Sequence, residues 1–339
     1  MTVTVARFGA ADTASVNAAF EIRKAVRAAD IPDVPPLCRR QFLGQVSHPM
    51  PGAEARWLLA TWNGEPAGLL ELGLPLGENS ENSHVTIEVH PAYRRRGVGT
   101  ALLAEARRVV AGLGRKRIVA DTLWTVPGGP PRDGAGAAFA AAMGGQEVLR
   151  DVRRRLDVTR LEQPRLDDSL AEAYRRADGY RLVRWRGAAP EEYVADVAHL
   201  EGRLLMDAPL GDLEWQPEQV DAERIRATEA ALEARGRRTY HCGALHEASG
   251  RLVAWTMLDR GETPTWHAWQ QITLVDPAHR GRRLGLLVKI ENLRHMLAAE
   301  PQLTAIDTFN AESNSYMIAI NEAMGFEAVD GAVSWQEEL

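Results

Sequence analysis

The feature that most constrains this fold is a sequence pattern that occurs twice, about half a chain apart. Gly99 and Gly285 are separated by 186 positions (285 − 99), and Asp121 and Asp307 by the same number (307 − 121). A constant offset that extends over a loop, a helix and the next strand indicates duplication rather than chance. Each copy would then hold roughly 150 residues, which is an ordinary domain size.

Both copies predict the same order of secondary structure. A first strand is followed by helical sequence, two strands around a tight turn, a β-branched strand, a helix, another strand and a last helix. Two short strands are then expected at the end of each copy. In the first copy the turn is Asn63-Gly64, the commonest hairpin signal. We therefore predict an α/β (α+β) chain of two domains, residues 1–158 and 180–339, joined by a polar linker at residues 159–179.

Composition limits the classes of function. The chain of 339 residues has a net charge of −6, whereas a dedicated nucleic-acid-binding domain is usually basic. Neither a signal-peptide pattern nor an apolar run of membrane-spanning length is present. We expect a cytoplasmic protein with no nucleic-acid or membrane partner, and the oligomeric state is left open. His241, Cys242 and His246 would alternate between the faces of a strand, so no metal site is expected.

The sequence RRRGVG, at residues 94–99, stands between a predicted strand and a predicted helix. Backbone N–H groups at a helix N-terminus lack partners, and the helix dipole is positive there, so the position suits phosphate. Gly97 and Gly99 let an anion approach the backbone, and the three arginines add charge. No Walker A sequence is present, and Leu102 replaces the third glycine of a dinucleotide fingerprint. The loop therefore predicts binding of a pyrophosphate.

Loop, flanking strand, helix and repeat together resemble the (Gln/Arg)-x-x-Gly-x-(Gly/Ala) region of the GCN5-related N-acetyltransferase (GNAT) superfamily. The resemblance covers residues 3–158 and 180–336. It implies tandem GNAT domains, each with a mixed, mostly antiparallel sheet, a splayed central strand and flanking helices. It also implies acetyl-CoA as the cofactor. The cofactor-binding residues that it carries over are Ile87, Val89, Arg94, Arg95, Arg96, Gly97, Val98, Gly99 and Thr100, then Leu274, Val275, Arg280, Gly281, Arg282, Arg283, Leu284, Gly285, Asn310 and Asn314.

The activity that the resemblance implies is direct transfer of an acetyl group from acetyl-CoA to a primary amine, with no metal. The attacking amine must be neutral, so a general base should take its proton. Glu88 is placed for that role, and Leu274 replaces it in the second copy. The family often has a tyrosine near the end of its last helix. Ala140 and Asn321 stand there, and Tyr316 comes slightly earlier. The catalytic candidates are Glu88 and Tyr316.

Several alternatives stay open at this point. The incomplete patterns allow a non-catalytic CoA-binding partner or sensor, and within enzymes the acceptor can be a small molecule or a peptide. The first loop keeps both glycines, whereas Arg283 replaces one of them in the second, so the first is expected to bind CoA more tightly. The acidic loop at residues 207–215 either suits a cationic amine or is simply solvated. Which half catalyses the reaction is not decided.

Overall fold

In the computed structural model, residues 2–339 are described, and Met1 lies outside them. These residues form one sheet of twelve strands flanked by ten helices. The strands are β1 (Val3–Phe8), β2 (Ala53–Trp62), β3 (Glu65–Pro75), β4 (Asn82–Val89), β5 (Arg117–Trp124), β6 (Gln146–Asp157), β7 (Tyr180–Arg186), β8 (Arg238–His246), β9 (Arg251–Arg260), β10 (His267–Val275), β11 (Ala305–Ala311) and β12 (Phe326–Glu338). The helices are α1 (Thr13–Asp30), α2 (Arg39–Ser47), α3 (Val98–Gly112), α4 (Ala135–Ala142), α5 (Gln163–Arg176), α6 (Glu191–Glu201), α7 (Leu204–Asp207), α8 (Ala222–Ala234), α9 (Leu284–Ala299) and α10 (Ser315–Met324).

The two halves are joined because they exchange their last strands. The strand order is β1-β2-β3-β4-β5-β12-β6-β11-β10-β9-β8-β7. Strand β12, from the end of the chain, pairs with β5 of the first half, and β6 of the first half pairs with β11 of the second. Leu156 of β6 accordingly packs in the hydrophobic core of the second half. Backbone hydrogen bonds therefore run without a break from one half into the other.

Each half contains a central strand that parts from its neighbour. Strand β4 pairs in parallel with β5 only over residues 82–84, and its remaining residues pair with β3 alone. Strand β10 likewise pairs with β11 only over residues 267–269. Beyond these short ladders the backbone on one edge of each central strand has no strand partner. The predicted mixed, mostly antiparallel arrangement with a splayed central strand and flanking helices in each half is confirmed, and the two halves share one continuous sheet.

Local sequence explains where several elements begin. Helix α1 starts after Asp12, whose carboxylate accepts a hydrogen bond from the backbone N–H of Ser15 at 3.1 Å. The predicted turn between β2 and β3 is present, with positive φ at both Asn63 and Gly64. Among the helices of residues 2–339, none combines the length and the apolar character that crossing a membrane requires.

Two stretches differ from the elements that the sequence predicted. Helix α5 lies within the polar segment at residues 159–179, where no element was assigned. It buries Leu166, Leu170 and Ala173 against the core of the second half while its other face stays charged. The two short strands expected at the end of the chain are a single strand, β12, whose register shifts between Ala328 and Asp330. Helix α5 was not predicted because its apolar stripe has only three residues in a segment that is otherwise charged.

Candidate functional site

A cavity of about 790 Å³ lies where β4 and β5 separate, between α3 and α4 and reaching α1. We call it the β4–β5 cleft. Glu88 lines it, together with eight of the nine cofactor residues predicted in the first copy: Ile87, Val89, Arg94, Arg95, Gly97, Val98, Gly99 and Thr100. The structure thus gathers nearly the whole first set around one opening in the sheet.

The loop before α3 presents backbone N–H groups to this cleft. Gly97 has φ +81°, and α3 begins directly after it, so the N–H groups of the first turn, Val98 to Thr100, have no partners within the helix. A β-carbon at Gly99 would contact Phe139 and Val89 at about 3.6 Å, so a large side chain there would occupy the cleft. The geometry suits an anion at the helix N-terminus and an elongated ligand below it.

The three arginines of the first loop have different roles. Arg94 donates two hydrogen bonds to the Asp30 carboxylate, at 2.9 and 2.7 Å, which tie the loop to α1. The guanidinium of Arg96 lies 4.5 Å from the centre of the Trp62 ring, outside the cleft lining. Arg95, with φ +61°, lines the cleft and forms no ion pair within residues 2–339. Arg95 is therefore the arginine available to an anion.

Glu88 is held in place by a buried arginine. Its Oε2 accepts a hydrogen bond from Arg23 Nε at 2.6 Å, and Arg23 also donates to Glu71 at 2.9 Å. Burial disfavours the charged form of Arg23, but the two carboxylates outweigh this and raise the pKa of Arg23 above its usual value. The ion pair positions the Glu88 side chain at the wall of the cleft.

A histidine–aspartate pair that the sequence analysis missed reaches the cleft through its aspartate, because Asp121 lines the cleft and His84 does not. His84 Nε2 is 2.9 Å from Asp121 Oδ2, and Ser334 Oγ donates to Asp121 Oδ1 at 2.7 Å. Burial opposes protonation of His84, yet the hydrogen bond to Asp121 prevails and raises the pKa of the imidazole. Val85 packs against α3, so its neighbour His84 faces the opposite side of the sheet. The duplicated Asp121 was the signal that could have identified this pair.

The second loop keeps the shape of the first with different side chains. Arg283, at the position of Gly97, has φ +56° and forms an ion pair with Glu172 at 2.9 Å. Arg280 Nε donates to the carbonyl of Val275 at 3.2 Å, as Arg94 does to Val89. Gly281 also has a positive φ, +79°. The duplicated turn therefore survives the replacement of Gly97 by Arg283.

Side chains of the second half occupy the space between α9, α10 and β11. Lys289 Nζ donates to Asn321 Oδ1 at 2.6 Å, and Asn321 Nδ2 donates to Asn310 Oδ1 at 2.6 Å. Lys289 is only 1% exposed, and burial lowers the pKa of its amine to about 7. A β-carbon at Gly285 would lie 3.4 Å from Ile320 Cδ1. We call this space the β10–β11 cleft. The hydrogen-bonded side chains of Lys289, Asn321 and Asn310 lie within it.

The remaining predicted residues of the second half lie around this filled space. Leu274 and Leu284 are buried, and Val275 packs beside the core. The guanidinium of Arg282 lies 5.7 Å from the centre of the Tyr180 ring. Asn314 caps α10 through Met317 N, and Tyr316 is 59% exposed on the same helix. None of these residues lines the β4–β5 cleft.

Comparisons with known proteins agree with this geometry. Residues 23–125 match the family described as "Acetyltransferase (GNAT) family". Mycothiol acetyltransferase from Nocardia farcinica (strain IFM 10152) is 27% identical over 322 residues, which cover 93% of this chain and 91% of that protein. A solved tandem GNAT protein from the clavulanic acid biosynthesis pathway is 32% identical, with a TM-score of 0.85 over 99% of this chain and 98% of that chain. A GNAT structure from Sphaerobacter thermophilus shares the fold at 16% identity, covering 99% of this chain and 95% of that chain, with a TM-score of 0.63.

Proposed function

We propose that this chain, which belongs to the GNAT family of acetyltransferases, transfers acetyl from acetyl-CoA to a primary amine, and that the reaction takes place in the β4–β5 cleft. The observation that carries the proposal is that this cleft is open beneath a helix N-terminus. The corresponding space of the second half holds Lys289 and Asn321.

The residues of the cleft suit the parts of acetyl-CoA. Arg95 and the N–H groups that open α3 would hold the pyrophosphate. Beyond residues 82–84 the edge of β4 that faces β5 has no strand partner, so its backbone groups can bond the pantetheine amides. When bound, acetyl-CoA supplies a thioester whose carbonyl carbon an amine can attack. The residues carried over to the second loop remain a weaker proposal, because the space beneath that loop is occupied.

The reaction requires a residue that removes a proton from the attacking amine. The amine nitrogen bonds to the acetyl carbon while the C–S bond breaks. The electron pair of the C–S bond remains on the sulfur of CoA. The proton of the amine must pass to a base. We propose Glu88 for this role, since Arg23 holds its carboxylate at the wall of the cleft. His84 is a second candidate, because it is hydrogen-bonded to Asp121, which lines the cleft.

Three further proposals come from the sequence. We propose that residues 1–158 and 180–339 are the duplicated domains and that residues 159–179 connect them. A catalytic role of Tyr316 stays a hypothesis, which the exposed position of its side chain on α10 does not favour. A cytoplasmic location and the absence of a nucleic-acid partner also stay predictions.

Titration calorimetry with acetyl-CoA tests the assignment of the cleft. We expect one strong site per chain. Gly99→Trp should abolish that site, because the indole would occupy the cleft beside Phe139. The matched variant Gly285→Trp should keep it, and thermal melts establish that both variants are folded. Binding that survives Gly99→Trp and disappears with Gly285→Trp would move the site to the second half.

A further inference from the structure

A second cavity, of about 450 Å³, lies on the sheet face opposite α3, where the two halves meet. The first half contributes His84, Asp121 and Asp151 to its lining, and the second contributes Trp215 and Phe309. Cavities of this size are typical of sites for small molecules. The proposed function uses only His84 from this lining, as the alternative base, and gives the rest of the cavity no role.

The second cavity meets the β4–β5 cleft at one residue. Asp121 belongs to the lining of both. Its neighbours Ala120 and Thr122 line only the cleft, whereas Val119, two positions before it on the same strand, lines only the second cavity. A ligand bound against the Asp121 carboxylate would therefore lie at the boundary between the two spaces.

Part of the predicted acidic loop closes over this cavity and is fastened to the first half. Asn79 Nδ2 donates to the carbonyl of Gln216 at 2.9 Å, and Gln216 N donates back to Asn79 Oδ1 at 2.8 Å. Asn82 Nδ2 donates to the carbonyl of Glu214 at 2.7 Å. Both asparagines are buried. These bonds hold the loop as a fixed wall of the cavity.

The side chains that the loop turns toward the cavity are apolar. Leu213 and Trp215 line it, whereas Asp212 and Glu214 are exposed and lie outside the lining. Glu214 instead forms an ion pair with Arg117. The loop therefore contributes hydrophobic surface to the cavity, and its own carboxylates do not supply negative charge there.

Negative charge in the cavity comes from two strand carboxylates. Asp121 accepts hydrogen bonds from His84 and Ser334, but Asp151 has no ion-pair partner within residues 2–339. Burial, together with the charge of Asp121, raises the pKa of Asp151 to about 6. A cationic ligand would relieve the repulsion between these two carboxylates.

We propose that this cavity binds the acceptor, and that the acceptor is a small primary amine with an apolar body and no carboxylate beside the amine. The proposal rests on the proposed function. Asp121 and Asp151 would receive the ammonium group, while Trp215 and Phe309 would contact the apolar body. A carboxylate next to the amine would be repelled by the same two aspartates.

The experiment uses 2-phenylethylamine as the probe, with phenylalanine as the analogue that adds a carboxylate. Binding of each compound to the full chain without acetyl-CoA is measured by calorimetry, and acetylation by release of thiol. We expect 2-phenylethylamine to bind and react, with kcat/KM at least about tenfold above that of phenylalanine. 2-Phenylethanol, which lacks the ammonium group, should bind more weakly than the amine.

Variants test whether the amine probe binds in this cavity. For the amine probe, Asp151→Asn and Trp215→Ala should each raise both Kd and KM by about tenfold or more, while the Kd for acetyl-CoA stays the same. The control is Glu147→Gln, an exposed carboxylate on the same strand that pairs with Arg150 and does not line the cavity. It should change none of these values.

Each contrary outcome has a separate meaning. If the protein binds acetyl-CoA but 2-phenylethylamine neither binds nor reacts, the acceptor proposal is overturned. Unchanged amine affinity in both Asp151→Asn and Trp215→Ala would overturn it as well, and retained acetyl-CoA binding shows that these variants are folded. If acetyl-CoA itself fails to bind the intact chain, the proposed location of the reaction fails instead.

Discussion

The β4–β5 and β10–β11 clefts have the same backbone and different contents. Both follow a strand that parts from its neighbour, and both end at a helix that starts after a residue with positive φ. Leu103 lines the first cleft, whereas Lys289, 186 positions later (289 − 103), lies inside the second and bonds Asn321. The loop motif therefore marks where a cleft can form. The residues one turn into the helix decide whether it stays open.

The duplicated aspartate shows the same divergence. Asp121 lines both the β4–β5 cleft and the second cavity, and it is hydrogen-bonded to His84. Asp307 is fully buried and accepts hydrogen bonds from Arg153, Arg155 and His267. One copy of the residue faces open space, and the other joins the two halves of the sheet. Duplication thus left one copy of the aspartate in the lining of two cavities and the other in a buried ion-pair network.

The largest expected effect is a difference in kcat between variants of the two halves. Glu88→Gln should lower kcat by about 10²-fold or more, because the amide cannot accept the proton of the amine. Tyr316→Phe is the matched change in the second half and should leave kcat as it is. Thiol release at saturating acetyl-CoA measures both. If His84→Gln lowers kcat and Glu88→Gln does not, the base is His84, and activity should rise with pH through its raised pKa.

Exchanging the residues inside the clefts sharpens the comparison. Leu103→Lys should weaken acetyl-CoA binding by about a hundredfold or more, because an unpaired ammonium would fill the first cleft. Lys289→Leu, at the matching position, should leave the affinity of the first cleft unchanged. Calorimetry measures both variants. Equal losses in the two variants would show that both clefts take part in binding.

The two aspartates should differ in stability. Asp307→Asn should lower the free energy of unfolding by about 2–4 kcal/mol, since it leaves buried arginines without their partner. Asp121→Asn should cost far less, because its side chain is partly exposed. Chemical denaturation of both variants provides the measurement. Similar losses of unfolding free energy in both variants would contradict the conclusion that only Asp307 has a structural role.

The pH dependence of stability follows from Asp307. Burial disfavours its carboxylate, but hydrogen bonds from Arg155 and His267 prevail and hold the pKa of Asp307 well below its usual value. The native state thus binds fewer protons than the unfolded state, and this stabilisation is lost as pH falls below about 5. Asp307→Asn should therefore flatten the acid slope of the free energy of unfolding, as denaturation from pH 5 to pH 3 would show. An equally steep slope in the variant would assign the acid sensitivity to other carboxylates.

A second pH effect concerns Lys289. Because burial lowers the pKa of its amine to about 7, the unfolded chain binds more protons above that pH. The free energy of unfolding should therefore rise from about pH 7 toward pH 10. Lys289→Met, of similar volume, should remove this rise. An unchanged pH profile in the variant would mean that Lys289 stays charged in the fold.

Much of the fold was accessible from local sequence. The turn at Asn63-Gly64, the start of α1 after Asp12 and the helix after the glycine loop all depend on residues close together in the chain. Helix α5 was not recognised, because its buried stripe is short and needs the second-half core as a partner. The His84–Asp121 pair was not recognised either, because its members lie on neighbouring strands 37 positions apart.

The sequence alone determined the duplication, the family resemblance and the loop of the first half. These features depend only on which residues repeat and on the backbone preferences of residues close together in the chain. Only the tertiary structure decided which cleft is open. That depends on how Lys289, Asn321 and Asn310 meet across three elements. Only the tertiary structure placed Trp215 of the second half over Asp151 of the first. Contacts between distant segments depend on how the two halves pack, and no local pattern specifies that packing.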